Sequence, residues 1–196
     1  MPKQKGIFIL LLISLGLVVL FLLLPKQPAS VREKANNPID KDSLKLMQAV
    51  ELVNGSNPME GIMMLREIIA EDENNVEAQY WLGVFSVRSG QLDKAVERFN
   101  KVIEIRPDYI AAFIDLGGMY VEMDSTEKGL AYFHKGIEID STNNYALLFS
   151  AQAEEQLGLL EDARMHYKQL LRHNTDTVVV KRVNEFINRI ETTLNR

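Results

Sequence analysis

The sequence predicts an all-α protein, an α-solenoid of four tandem helix-turn-helix units plus a C-terminal capping helix, preceded by one N-terminal transmembrane helix. Three observations lead to this prediction. An uncharged apolar run lies near the N-terminus, a 34-residue period repeats four times behind it, and a further amphipathic stretch follows the last repeat. With 196 residues, the chain is long enough for a well-buried domain.

The apolar run covers residues 6–24 and reads GIFILLLISLGLVVLFLLL. At about 1.5 Å per residue, a helix of this length would span roughly 28 Å, close to the hydrocarbon thickness of a bilayer. A buried core helix is the weaker interpretation, because nothing else in the chain could surround it. A cleaved signal peptide would have a shorter apolar region and a small-x-small exit, whereas this run ends in Leu24-Pro25-Lys26. We therefore expect residues 1–24 to be a basic tail and an uncleaved anchor.

The charges beside this run bear on its orientation. Lys3 and Lys5 favour a cytoplasmic N-terminus, whereas Lys26, Arg32 and Lys34 act in the opposite sense. A very short basic tail before an apolar run resembles a bacterial export signal. The sequence therefore favours a single-pass protein of the inner, cytoplasmic membrane whose C-terminal domain lies on the periplasmic or extracellular side.

Residues 25–41 follow as a predicted linker. This segment contains three prolines and an Asn-Asn pair, and it has no apolar period. It would hold the folded part of the chain away from the membrane.

Small and bulky residues recur every 34 positions behind the linker. The first small set is Ala49, Gly83, Gly117 and Ala151; the second is Gly61, Ala95, Gly129 and Ala163; the bulky set is Leu65, Phe99, Phe133 and Tyr167. Four units follow without a gap over residues 42–177: 42–75, 76–109, 110–143 and 144–177. Each unit reads as two amphipathic helices, whose small residues let them approach closely. Because no unit can cover its own apolar face, the units must stack.

The third unit contains the pattern Phe113-x-x-Leu116-Gly117-x-x-Tyr120 followed by Gly129-x-x-x-Phe133. This pattern resembles the tetratricopeptide repeat, with Phe113 where tryptophan is usual. The resemblance covers residues 42–177 and implies a curved stack of helix pairs that binds other proteins. Residues 178–196 carry one apolar stripe at helical spacing and are predicted to cap the last repeat, with a partner-binding helix as the alternative.

The composition argues against several function classes. A net charge of −5 does not suit a nucleic-acid binder, and the absence of cysteine excludes thiolate sites. His134, His166 and His173 lack the spacing of a metal site and are interpreted as surface residues, so no metal or cofactor is predicted. Glu154 and its neighbours are interpreted as a solvated helix face. No catalytic motif is present, and we predict that the chain is not an enzyme.

By the geometry of the resembled family, three positions of each unit's first helix face the concave side. They are Leu46, Val50 and Val53; Tyr80, Val84 and Val87; Ile114, Gly118 and Val121; and Leu148, Gln152 and Glu155. Three units give a mostly apolar stripe and the fourth a polar, acidic end. The family's grip on a C-terminal carboxylate uses Lys, Arg and Asn at such positions, and this sequence lacks them there. An apolar groove suits a hydrophobic or amphipathic segment of a partner.

The sequence therefore predicts a membrane-tethered adaptor or scaffold that holds a partner's peptide or amphipathic helix in its groove. The resemblance suggests a part in envelope assembly, secretion or cytochrome c maturation. The alternative is a structural protein that self-associates through the groove or the repeat ends. The stripe could also be covered by the chain's own linker or carry no function. Gly118 lies at no predicted helix contact, and we expect Gly118→Ala to stabilise the fold while weakening partner binding.

Overall fold

The computed structural model describes residues 41–55 and 57–195, and the regular secondary structure of this part of the chain is α-helix. Its elements are α1 (Lys41–Asn54), α2 (Pro58–Glu71), α3 (Val76–Arg88), α4 (Leu92–Ile105), α5 (Ile110–Glu122), α6 (Thr126–Ile139), α7 (Asn144–Gln156), α8 (Leu160–His173) and α9 (Thr177–Leu194). The prediction of an all-α fold is confirmed for these residues.

The predicted anchor at residues 6–24 lies outside the described residues, as does all but the last residue of the predicted linker, 25–41. Among the helices that the structure describes, none combines the length and the hydropathy needed to cross a bilayer.

Local chemistry sets several helix starts. The side chains of Asn75, Asn143 and Asp176 accept hydrogen bonds from backbone amides in the first turns of α3, α7 and α9. Such caps satisfy amides that have no partner inside the helix. Pro58 opens α2, where its missing N–H costs nothing.

The repeat period extends to the backbone conformation of the turns. Gly90, Asp124 and Gly158 lie 34 residues apart, and their φ angles are 71°, 56° and 77°. Each follows the first helix of its unit, where a left-handed residue reverses the chain. Aspartate tolerates this conformation better than most residues with a side chain, which explains its place in the third turn.

Helices within a unit meet at the small residues. A Cβ atom on Gly83 would lie 2.7 Å from the Phe99 ring, and one on Gly61 would lie 2.6 Å from the Ala49 carbonyl oxygen. Phe99 is fully buried, so the ring occupies the volume that a side chain on α3 would otherwise need. The small and bulky residues of the period are therefore complementary halves of one contact.

The last helix, α9, covers the end of the stack. Val183, Ile187 and Ile190 are buried against Tyr167 and Leu170 of α8. Leu194, which also belongs to the predicted apolar stripe, is 39% exposed. The stripe therefore packs in its middle and is open to solvent near its C-terminal end.

Two neighbouring glycines of α5 should respond in opposite ways to the same substitution. A Cβ on Gly118 meets nothing within 4 Å, whereas one on Gly117 would overlap the Phe133 ring. We expect Gly118→Ala to raise the free energy of unfolding by about 1 kcal/mol through helix propensity. Gly117→Ala should lower it by roughly 1–3 kcal/mol through overpacking.

Urea denaturation of the two variants and the wild-type chain, followed by circular dichroism, measures these changes. Destabilisation by Gly118→Ala, or tolerance of Gly117→Ala, would contradict this packing.

Candidate partner-binding groove

The twelve residues predicted to line the groove lie on α1, α3, α5 and α7, the first helices of the four units. The first helices of the third and fourth units contact each other directly. Val53 is buried, Gln152 is exposed, and the other ten residues are half-buried. The structure divides them into three rows that run from unit to unit, each with its own surroundings.

The middle row, formed by Val50, Val84, Gly118 and Gln152, has the most open surroundings. A Cβ added at Gly118 meets no atom within 4 Å, and Gln152 is exposed. Val84 packs with one side against the core of the second unit while remaining half-exposed. This row is the best candidate for contact with a partner.

The third row, formed by Val53, Val87, Val121 and Glu155, faces the second helix of its own unit. A Cβ on Gly61 would lie 2.7 Å from Val53 Cγ2, and one on Gly129 would lie 2.6 Å from Val121 Cγ2. Val53 is only 3% exposed. The prediction that Val53 lines the groove is therefore wrong, because its methyl groups fill the space that Gly61 leaves.

The predicted acidic end of the groove is already paired. Arg189 of α9 donates hydrogen bonds from Nε and Nη2 to Glu155 Oε1, the first over 3.0 Å. The Tyr167 hydroxyl donates to Glu155 Oε2 over 3.4 Å. Burial and the Glu155 carboxylate raise the pKa of Tyr167 well above its ordinary value. Glu155 thus joins the last repeat to α9 and is not a free acidic contact.

The first row is formed by Leu46, Tyr80, Ile114 and Leu148. It includes a polar contact that was not predicted from the sequence. The Tyr80 hydroxyl of α3 donates a hydrogen bond to the Asp115 carboxylate of α5. The other carboxylate oxygen of Asp115, Oδ2, is buried without a hydrogen-bond partner. Asp115 follows the predicted position Ile114 directly, and its charge within the apolar run IAAFIDLGG was the available signal.

Burial determines the protonation behaviour of Asp115. It raises the pKa of the Asp115 carboxyl above its ordinary value of 3.8, and the Tyr80 hydrogen bond offsets part of that rise. Burial, together with the nearby Asp115 charge, also raises the pKa of Tyr80. An ionised Asp115 is therefore a destabilising group with one buried, unsatisfied acceptor oxygen.

Asp115→Asn should change the pH dependence of stability. Because the folded-state pKa of Asp115 is raised, its contribution to the free energy of unfolding is fully present below the ordinary pKa of 3.8. That contribution is lost as the pH rises through the folded-state pKa. The introduced amide resembles the neutral acid and still accepts from Tyr80, so the variant should be more stable than wild type at pH 7. The difference should vanish toward pH 3.

Thermal melts at several pH values give this difference. Equal melting temperatures at pH 7, or a gap that widens as the pH falls, would contradict the assignment.

Three residues interpreted as surface groups lie close together inside the stack. Glu154 is 1% exposed and its carboxylate contacts both His134 and His166, of which His166 is itself buried. The prediction of a solvated Glu154 and a surface His166 is therefore wrong. Both side chains point toward the junction between units three and four, which spacing along a single helix does not reveal.

Comparison with known proteins agrees with this architecture. Residues 57–117 match the sequence profile of the tetratricopeptide repeat. The similarity to the tetratricopeptide repeat family is found for this segment. The fold of that family is a scaffold for protein–protein interaction.

Curated relatives are similar over parts of the chain. The Protein CTR9 homolog of Arabidopsis thaliana is 30% identical over 111 residues, which are 52% of this chain and 10% of that protein. The BBSome complex member BBS4 of Bos taurus is 28% identical over 87 residues, 44% of this chain and 17% of that protein. The chain spans between 10% and 25% of the length of the curated relatives it matches.

Solved structures are similar over a larger part of the fold. A crystal structure of MamA aligns with a TM-score of 0.61 at 23% identity, covering 71% of this chain and 81% of that one. PilF of Pseudomonas aeruginosa aligns with a TM-score of 0.64 at 16% identity, covering 79% of this chain and 75% of that one. The first repeat domain of Spaghetti (RPAP3), bound to the HSP90 peptide SRMEEVD, aligns with a TM-score of 0.57 at 14% identity. The alignment covers 64% of this chain and 97% of that one. These likenesses show the fold.

Proposed function

We propose that this chain is a membrane-tethered adaptor whose repeat groove holds an apolar or amphipathic helical segment of a partner protein. The observation that carries the proposal is the open middle row, where Gly118 leaves free space between half-exposed apolar neighbours. A helix with apolar side chains at i, i+3, i+4 and i+7 presents a stripe that fits such a row. Envelope assembly, secretion and cytochrome c maturation are processes in which an adaptor of this kind would act.

The charges along the groove favour a cationic or neutral partner segment over an acidic one. Asp115 has an unsatisfied oxygen beside the first row, and no lysine or arginine occupies the twelve groove positions. The repeat domain of RPAP3 binds the acidic peptide SRMEEVD. A segment with lysine or arginine beside its apolar stripe suits this groove better, because no lysine or arginine at the groove positions would repel it.

Head-to-tail stacking of copies is the alternative proposal, and the last helix disfavours it. The apolar face of α9 packs against unit four through Val183, Ile187 and Ile190. Lys181, Arg182 and Glu185 lie exposed on the rest of the helix. A charged outer face at this end opposes the addition of another stack.

The tether is part of the proposal. Residues 6–24 would form a single membrane span, with residues 25–41 as a spacer and the repeats on the periplasmic or extracellular side. Confinement to the membrane raises the effective concentration of the groove near membrane-associated partners. A modest intrinsic affinity of the groove for the partner segment would then be enough for binding at the membrane.

A direct test uses a fluorescently labelled amphipathic peptide with leucines at i, i+3, i+4 and i+7 and lysines elsewhere. Fluorescence anisotropy should show saturable binding to the wild-type chain and no binding of SRMEEVD. Gly118→Gln places a side chain in the open space and should weaken the affinity about tenfold or more.

The matched control is Ala131→Gln, which adds the same side chain to an exposed position of α6. It should leave peptide affinity unchanged. Equal effects of the two variants, or preferential binding of SRMEEVD, would refute the groove as the binding surface.

The orientation is tested with C-terminal fusions to two reporter enzymes, one active only outside the cytoplasm and one only inside. We expect activity of the outside reporter, with the fusion protein in the membrane fraction. Deletion of residues 6–24 should abolish the activity of the outside reporter and the association with the membrane. Activity of the inside reporter alone would reverse the proposed orientation.

A further inference from the structure

Three helices bring two histidines and a glutamate together at the junction of units three and four. Glu154 Oε1 of α7 lies 3.1 Å from His134 Nε2 of α6, and Glu154 Oε2 lies 2.8 Å from His166 Nδ1 of α8. One donor atom from each residue lies within 4.8 Å of the other two. Because α7 packs against both α6 and α8, the positions of these side chains are set by the core.

Glu154 is a buried carboxylate that lies between two imidazoles. Its side chain is 2% exposed, and the described hydrogen bonds of its carboxylate come from the two imidazoles alone. With both imidazoles neutral, the cluster carries one buried negative charge. A bound cation would balance that charge.

The repeat itself provides an internal comparison. The residues 34 positions before Glu154 and His166 are Tyr120 and Tyr132, whose rings stack with centroids 5.4 Å apart and planes 10° apart. The fold can therefore fill this place with two uncharged rings. A buried carboxylate in unit four is a departure that helix packing does not require.

A cleft of about 440 Å³ gives access to the cluster from the surface. His134 is on its wall, with 44% of its side chain exposed. Asp162 also lines the cleft and lies one turn before His166 on the same face of α8. Glu138 is a third acidic residue on the wall, and Lys135 Nζ donates a hydrogen bond to Glu138 Oε2 over 2.7 Å. The excess of carboxylates would attract a divalent cation into the cleft.

We propose that His134, Glu154 and His166 form a binding site for a divalent transition-metal ion of the Zn²⁺ type. Two imidazole nitrogens and one carboxylate oxygen are a donor set that Zn²⁺ accepts, with water at the fourth position on the cleft side. Donor atoms of a tetrahedral site with bonds of about 2.0–2.1 Å lie roughly 3.3 Å apart. The observed nitrogen–oxygen distances are 3.1 Å to Glu154 Oε1 and 2.8 Å to Glu154 Oε2, so each imidazole lies against a different oxygen of the carboxylate and the carboxylate would turn to direct one oxygen at the ion.

Metal binding would change the tautomers of the two histidines. The metal takes the lone pairs of His134 Nε2 and His166 Nδ1, so each ring carries its proton on the other nitrogen. The ion would then join α6, α7 and α8 and tie unit three to unit four. We infer that the metal stabilises this end of the stack and is not a catalytic centre.

Isothermal titration of the full-length chain in detergent with ZnCl₂ tests the proposal. We expect one Zn²⁺ per chain, and a melting temperature that rises by roughly 5–10 °C at about 100 times Kd. His134→Gln and His166→Gln should each weaken the affinity at least tenfold and remove most of the thermal shift. Co²⁺ should give the visible absorption of a tetrahedral site in the wild-type chain and not in either variant.

His173→Gln is the matched control, since His173 is exposed at the C-terminal end of α8. It should bind Zn²⁺ as the wild type does. Circular dichroism verifies that each variant is folded, and the half-exposed position of His134 makes His134→Gln the safest of them. Failure of the wild-type chain to bind Zn²⁺, or equal losses with His134→Gln and His173→Gln, would overturn the proposal.

Discussion

The stack of helices depends on a steric constraint at the crossing inside each unit. Where the two helices meet, one contributes a glycine or alanine and the other a bulky side chain above it, as with Gly83 and the fully buried Phe99. A Cβ atom at Gly83 would overlap the ring, and one at Gly61 would overlap the facing backbone. Since the contact recurs with the period of the sequence, it fixes the distance between helices, and the rest of the packing follows from it.

Two carboxylates with buried oxygen atoms lie among the packed helices, and their surroundings differ. Asp115 shares one oxygen with Tyr80 and leaves the other without a partner. Glu154 has a histidine on each oxygen. Buried polar groups cost stability unless all their hydrogen bonds are made. Where the repeat can hold apolar residues at the same positions, such groups suggest a functional role. Asp115 is next to the predicted groove position Ile114 in sequence, and Glu154 lines a cleft whose walls come largely from the second helices.

Adjacent residues of α7 illustrate how a solenoid separates its surfaces. Glu154 and Glu155 are neighbours in sequence, but a step of about 100° around the helix directs them to different partners. Glu155 pairs with Arg189 and Tyr167, which joins the last repeat to α9. Glu154 points to the junction with unit three. A single helix thus serves the cap and the proposed metal site, while Gln152 on the same helix remains exposed to the groove.

The sequence by itself determined the helices and their pairing. The period and the small residues were enough to predict two helices in the unit 76–109, which the structure places at Val76–Arg88 and Leu92–Ile105. These features are local or repeat at a fixed interval, so they can be read without coordinates.

Only the tertiary structure decided which side chains meet across helices. Val53 was predicted to face the groove and instead fills the space beside Gly61, because the crossing of α1 and α2 sets its direction. His134, Glu154 and His166 lie 20 and 12 residues apart along the chain and on three different helices. Their meeting depends on the relative rotation of those helices about their axes, which the packed core fixes and the sequence pattern leaves undetermined.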